Sequence, residues 1–322
     1  MMMSPGEVAE HPAGAVNEGG QVTAGAGVPG AVENKNLMAD DKKAMLEEFV
    51  RSNEIPFYLS EHLDKLRGRD IVFIVDDSGS MGLGLREHSI PKREAKRILR
   101  ATRMAEIRRW DELKFYLEKI VKLGLCFDED GIDLVGLNRP KAEGVNNIQA
   151  VDKYFEEDPG GATPLYTRLR EVLSSHEPGT KEIIVIATDG VPNDVPLSKF
   201  KSLVQNRKNP EETPIVFMVC SDNDRDVAYL NSLDHCPWVG VVDDYNSEKK
   251  EIKDPDMRMQ YSPGAHVANV LLNWVPEIDA LDDDNSMGGE ICRRCQESFA
   301  DASFLSFVAP IAAVGFFIFF LQ

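Results

Sequence analysis

Ile71, Val72, Phe73, Ile74 and Val75 form an unbroken, mostly β-branched apolar run. A strand wetted on one face alternates apolar with polar residues, so this run predicts a strand buried on both faces, as in a parallel sheet covered by helices. It stops at Asp76, Asp77, Ser78, Gly79 and Ser80. That puts a carboxylate, Asp76, and two hydroxyls at a strand's carboxyl end, where open α/β sheets bind their ligands. Small oxygen donors there suit a hard divalent cation, Mg2+ or Mn2+.

Two later segments repeat the pattern. Gly160, Gly161, Ala162 and Thr163 offer a hydroxyl on a glycine-rich turn that lets backbone approach an ion closely. Residues 183–187 are a second buried-type strand, and Thr188, Asp189 and Gly190 set another carboxylate just past its end. Singly, such residues also serve as caps and turns. In this order and context they resemble the von Willebrand factor type A family and its metal-ion-dependent adhesion site. The resemblance implies a doubly wound, mostly parallel α/β sheet, with Asp76, Ser78, Ser80, Thr163 and Asp189 as metal ligands. Asp77 lies between two of these positions and is expected to point away, toward a turn or solvent.

The net charge of −18 opposes binding to nucleic acid. The sign reverses locally: residues 82–109 carry nine Lys or Arg against three Glu. Ala95, Ile98, Leu99, Thr102 and Ala105 form an apolar stripe in this insertion, after a helix start at Ser89 and Pro91. Arg93, Arg97 and Arg100 lie on the opposite, basic face, as residues that could steer an acidic ligand; the other reading is a solvated amphipathic helix packed on the domain.

Residues 1–40 have low-complexity composition and are expected to be disordered. Residues 41–69 read as a helical lead-in broken by Pro56, and residues 70–275 as the domain. Within it, helices are expected from Trp110 to about Gly124, around residues 148–155 and over residues 263–272, with further strands over residues 132–137, 215–219 and 238–242. The stretches at residues 109–114, 130–133 and 137–139 narrow the resemblance to intracellular type A proteins of unicellular eukaryotes and large DNA viruses.

Residues 276–303 are an acidic linker, and residues 304–321 carry no charge. At about 1.5 Å per residue that segment reaches roughly 27 Å as a helix, near the span of a bilayer core, and predicts a carboxyl-terminal membrane anchor. Arg293 and Arg294 on its amino side favour a cytoplasmic domain. Five scattered cysteines without an amino-terminal apolar run point to reduced thiols, Cys220 being a core residue. Cys292 and Cys295 form a lone CxxC, open to zinc, to S-acylation or to no modification.

The motifs favour a binding module over an enzyme. A strand ending in Asp also opens haloacid-dehalogenase-type phosphotransferases, but their second carboxylate is replaced here by Ser78. The six histidines form no HExxH pair, and neither a phosphate-binding Gly-x-x-x-x-Gly-Lys loop nor a Gly-x-Ser-x-Gly elbow occurs. The resemblance implies a cation whose open position accepts an Asp or Glu from a protein partner. A scaffold with a purely structural metal and an accessory subunit of an AAA-type ATPase remain alternative readings.

Overall fold

The computed structural model of the chain describes residues 30–128, 130–221, 223–252 and 254–279. The low-complexity residues before 30, the CxxC and the apolar segment 304–321 lie outside the described residues. Six strands form one sheet: β1 (Asp70–Val75), β2 (Ile132–Gly136), β3 (Ala142–Val145), β4 (Glu182–Thr188), β5 (Ile215–Val219) and β6 (Val239–Val242). Their spatial order is β3-β2-β1-β4-β5-β6, parallel throughout except for the antiparallel β2–β3 pair. β3 is an edge strand, in a stretch for which no strand is predicted.

Chain progression reverses between β1 and β4, and the register there decides what meets at the strand ends. Ile71 pairs with Ile183 and Val75 with Ala187, so both strands finish level. The Asp76 amide continues the ladder to the Ala187 carbonyl at 3.0 Å, which sets Asp76 beside Thr188. On the other side Val75 pairs with Gly136, and the Leu137 amide donates to the Val75 carbonyl at 3.1 Å, bringing the residues after β2 to the same end.

Alternate side chains of the central strands feed two cores. Phe73, Val75, Val185 and Ala187 face the Arg109–Gly124 and Pro263–Leu272 helices. Ile74, Ile184 and Ile186 face Leu165, Leu169 and Val172 of the Leu165–Ser175 helix and Phe200 and Val204 of the Leu197–Gln205 helix. Each fully buried branched side chain contributes about 1.5–3 kcal/mol. The sheet is thus an α/β sheet with helices on both faces.

The first helix, Gly30–Ser52, begins ahead of the expected start, and the compact unit that holds the sheet takes in its residues from Asp41 onward. Phe49, Ile55, Leu59, Leu63 and Leu66 of the lead-in are buried in the first core, so this segment is part of the domain rather than an appendage. A Cβ on Gly264 would lie 2.1 Å from the Asn53 carbonyl, while the Ser262 hydroxyl donates to the Asn53 and Glu54 carbonyls at 3.0 and 2.9 Å. At the other end Ile278 is buried in the Pro276–Asp279 turn of helix, which moves the domain's end past residue 275. Among the described residues no helix is long and apolar enough to cross a membrane.

His266 lies inside this core, packed among the rings of Tyr116, Tyr245 and Tyr261, with Nδ1 3.0 Å from the Tyr261 hydroxyl. Burial pushes its pKa from 6.5 down to about 3. Below pH 6.5 the unfolded chain takes up a proton that the folded protein refuses, so stability is full above that pH and falls by about 1.4 kcal/mol per unit beneath it. Denaturant titrations should show this group removing about 2 kcal/mol between pH 7 and 5. His266→Gln, though less stable at pH 7, should have a shallower pH slope; parallel slopes for the two proteins would exclude His266 as the cause.

Candidate metal centre

The level ends of β1 and β4 assemble four of the five expected ligand side chains into one hydrogen-bonded chain. The Thr188 hydroxyl donates to Asp76 Oδ2 at 2.7 Å, and the Ser78 amide donates to Asp76 Oδ1 at 3.0 Å. Ser78 Oγ is 3.1 Å from Ser80 Oγ, which donates to Asp189 Oδ1 at 2.7 Å. Asp76, Ser78 and Asp189 are buried. Burial raises the Asp76 pKa from 3.8 to about 6 against the opposing hydrogen bonds from Ser78 and Thr188.

Thr163, the fifth residue, arrives on a loop docked against the first. The Gly79 amide donates to the Gly161 carbonyl at 3.3 Å and the Gly160 amide to the Asp77 carbonyl at 2.8 Å. Asn193, after β4, grips Thr163 twice: its side-chain oxygen accepts from the Thr163 amide and its own amide donates to the Thr163 carbonyl, both at 3.1 Å. Gly161 has a local reason to be glycine. Its φ is +106°, and a Cβ there would meet Asn138 Oδ1 at 2.6 Å.

Asp77 does not face solvent. It is 0% exposed, and its Oδ1 accepts from the Asn138 backbone amide at 2.8 Å and from Asn138 Nδ2 at 2.9 Å. Asn138 Nδ2 also donates to the Ala162 carbonyl at 2.8 Å, so one side chain joins the Asp77 and Thr163 loops. Arg139 sits over the Trp110 ring with Nε 3.4 Å from Asp77 Oδ2, and its Nη atoms donate to the carbonyls of Tyr154, Glu157 and Asp158. The alternation argument gave Asp77's direction, away from the ligands; it missed that buried donors wait there.

The basic insertion is a closed excursion. Its ends pair through Leu85 and Ile107, the Arg109 amide donates to the Leu83 carbonyl, and Leu85, Ile90, Ala95 and Ile107 make a small core of their own. Its helix spans Lys92–Thr102, leaving Ala105 beyond the helix and exposed. Arg93, Arg97 and Arg100 are exposed, with Arg97 paired to Glu94. Arg108 and Arg109 are buried instead. Arg108 is held charged by Asp111, which it meets at 3.0 Å, and by Asp158 at 2.6 Å. Arg109 Nη1 donates to Asp189 Oδ2 at 2.7 Å, placing a cation beside a predicted metal ligand. The exposed basic surface therefore holds seven, not nine, of the positive residues.

The donor set is all oxygen, which fits a hard, octahedral cation and not a soft one. Among the described residues no group of three or more His, Cys, Asp or Glu is placed to hold a metal, so a cation here would depend on the hydroxyls as much as on the two carboxylates. Cys220, at the end of β5 nearby, is buried and its thiol pKa is raised by that burial, making it a core group rather than a ligand.

In chelator, Asp76 should act as a liability. Its folded pKa lies above the ordinary 3.8, so ionisation opposes folding above about pH 6, and stability is regained as the pH falls from about 6 toward 4. Asp76→Asn should accordingly be more stable than wild type at pH 7 in EDTA, by about 1–3 kcal/mol, with the gap closing near pH 4. Thermal melts of both proteins check this; a less stable variant at pH 7 would refute it. His266 acts with the opposite sign but equally in both, so it cancels.

No family model and no curated protein matches this chain. Among solved structures it is similar to proximal thread matrix protein 1 from the mussel byssus, with 12% identity and a TM-score of 0.36. That match covers 65% of this chain and 48% of the other, so this chain spans about half the length of the mussel protein.

Proposed function

We propose that this chain is a divalent-cation-dependent protein-binding module on a type A fold, with Asp76, Ser78, Ser80, Thr163 and Asp189 holding Mg2+ or Mn2+. The observation that carries this reading is the chain Asp76, Ser78, Ser80, Asp189, drawn together at the point where strand order reverses, with the Thr163 loop pinned beside it. A bound cation would supply a coordination position that a partner's Asp or Glu can complete. Two carboxylates match the dication's charge, but Asp189 is shared with Arg109, and five protein oxygens leave one position of an octahedral ion open to an anionic partner. The seven exposed basic residues of the insertion, Arg93, Arg97 and Arg100 among them, raise the encounter rate with an acidic partner at low salt. Binding, not catalysis, is the role proposed, with segment 304–321 anchoring the protein in a membrane and the domain on the cytoplasmic side.

Calorimetric titration with MgCl2 should give binding heat for wild type and none for Asp76→Ala, and saturating metal should raise the melting temperature of wild type alone. A partner captured in Mg2+ should be lost in EDTA through faster dissociation. Equal capture in EDTA would favour the scaffold with a structural metal, and equal heats for both proteins would remove the metal.

Alkaline extraction of expressing cells addresses anchoring. The full chain should stay in the membrane pellet and a chain ending at Asp301 should be released; release of both would exclude a membrane helix.

A further inference from the structure

We infer that Arg109 is a tethered counter-cation that competes with the metal for Asp189, so that cation binding moves its guanidinium toward Asp226. The inference rests on the metal reading above and concerns how that site is set.

Arg109 is the first residue of the Arg109–Gly124 helix, the end where the helix dipole disfavours a positive charge. Its side chain is 7% exposed all the same, with Nη1 donating to Asp189 Oδ2 at 2.7 Å. The other Asp189 oxygen accepts from Ser80 at 2.7 Å, so both oxygens of this carboxylate are engaged by protein donors. The rest of the guanidinium is under-used. Nη2 already forms an ion pair with Asp226 Oδ2, at 3.6 Å and so longer than a hydrogen bond, and Nε is buried without a hydrogen-bond partner. Asp226 is 38% exposed; Asn223 Nδ2 donates to its Oδ1 at 3.1 Å and Ser221 Oγ to its Oδ2 at 3.3 Å.

This is an arrangement with two acceptors for one cation. Here the guanidinium compensates Asp189, which shares the buried site with Asp76. A dication bound to the same carboxylate would stand within a few ångströms of the guanidinium, where repulsion between buried like charges is strong. Retreat of Arg109 to Asp226 relieves that repulsion without moving the helix. The affinity for metal is then a difference between two cations' hold on Asp189, and Asp226 weights the balance toward the metal. The competing account has Arg109 merely orienting Asp189, and it predicts effects of the opposite sign.

Calorimetry with MgCl2 on the full chain in mild detergent separates the two. Arg109→Gln should tighten Mg2+ binding at least tenfold, and Arg109→Lys should stay near wild type. Asp226→Asn should weaken binding severalfold in the wild-type background and have no effect on top of Arg109→Gln, since the two act through one exchange. Equal or weaker binding by Arg109→Gln, with wild type still binding, overturns the competition and leaves the metal site standing. Heat in neither protein removes the metal reading and this inference with it. If Arg109→Gln does not fold, Asp226→Asn decides alone, because unchanged affinity in that variant contradicts a role for the second acceptor.

Discussion

A carboxylate wholly withdrawn from water, Asp77, is the constraint on which the ligand end of the sheet depends. Its charge is met by the Asn138 amide, the Asn138 side chain and the Arg139 guanidinium, all from the segment following β2. Those same two residues bind the carbonyls of Ala162, Tyr154, Glu157 and Asp158. One buried anion therefore fixes the loop after β1, the loop after β2 and the approach to Thr163 in a single frame. Hydrogen bonds to a charged group are worth about 1.5–3 kcal/mol each, and breaking a buried charge pair costs about 3–5 kcal/mol, so the frame has little freedom to slip. The side chains that face the candidate centre do not stabilise it in this way. They inherit their positions from the neighbour that faces inward.

Within that frame the centre itself is a place of electrostatic conflict. Asp76 and Asp189 share a buried pocket of hydroxyls, and burial, with the Asp189 charge adding to it, lifts the Asp76 pKa. Arg109 relieves one carboxylate and not the other. Local arrangements that fold less comfortably than their surroundings are what binding sites are made from, since the missing compensation is what a ligand supplies.

Much of this was legible in the chain. The five-residue apolar runs announced β1, β4 and β5 because a strand buried on both faces has no reason to alternate, and the Pro263–Leu272 helix stood where its Pro start and apolar length put it. The strand ends named four residues that the register does bring together. Two kinds of information were hidden. Composition counts charges without their partners, so Arg108 and Arg109 read only as two more positive charges of the insertion when each is buried against carboxylates up to eighty positions away. Alternation gives a side chain's direction and not its surroundings, so Asp77 read as pointing toward a turn or solvent, and Asn138 and Arg139 read only as part of a stretch that narrows the resemblance, with no role attached. β3 was missed for a third reason: Ala142, Glu143, Gly144 and Val145 have the composition of a turn, and only pairing with β2 makes them a strand.

That short strand has a further consequence. The open edge of a sheet is a template on which another chain can lay a strand. β3 spoils the template: its register with β2 shifts between Ile132 and Leu134, Gly144 bends it at φ +60°, and Lys141 and Glu143 set opposite charges along it. The Asp133 side chain, which could otherwise stay free, is held inward by the Gly144 amide and Lys141. Sheet extension from this border is disfavoured, so copies of the domain at high local density are kept from joining their sheets through β3.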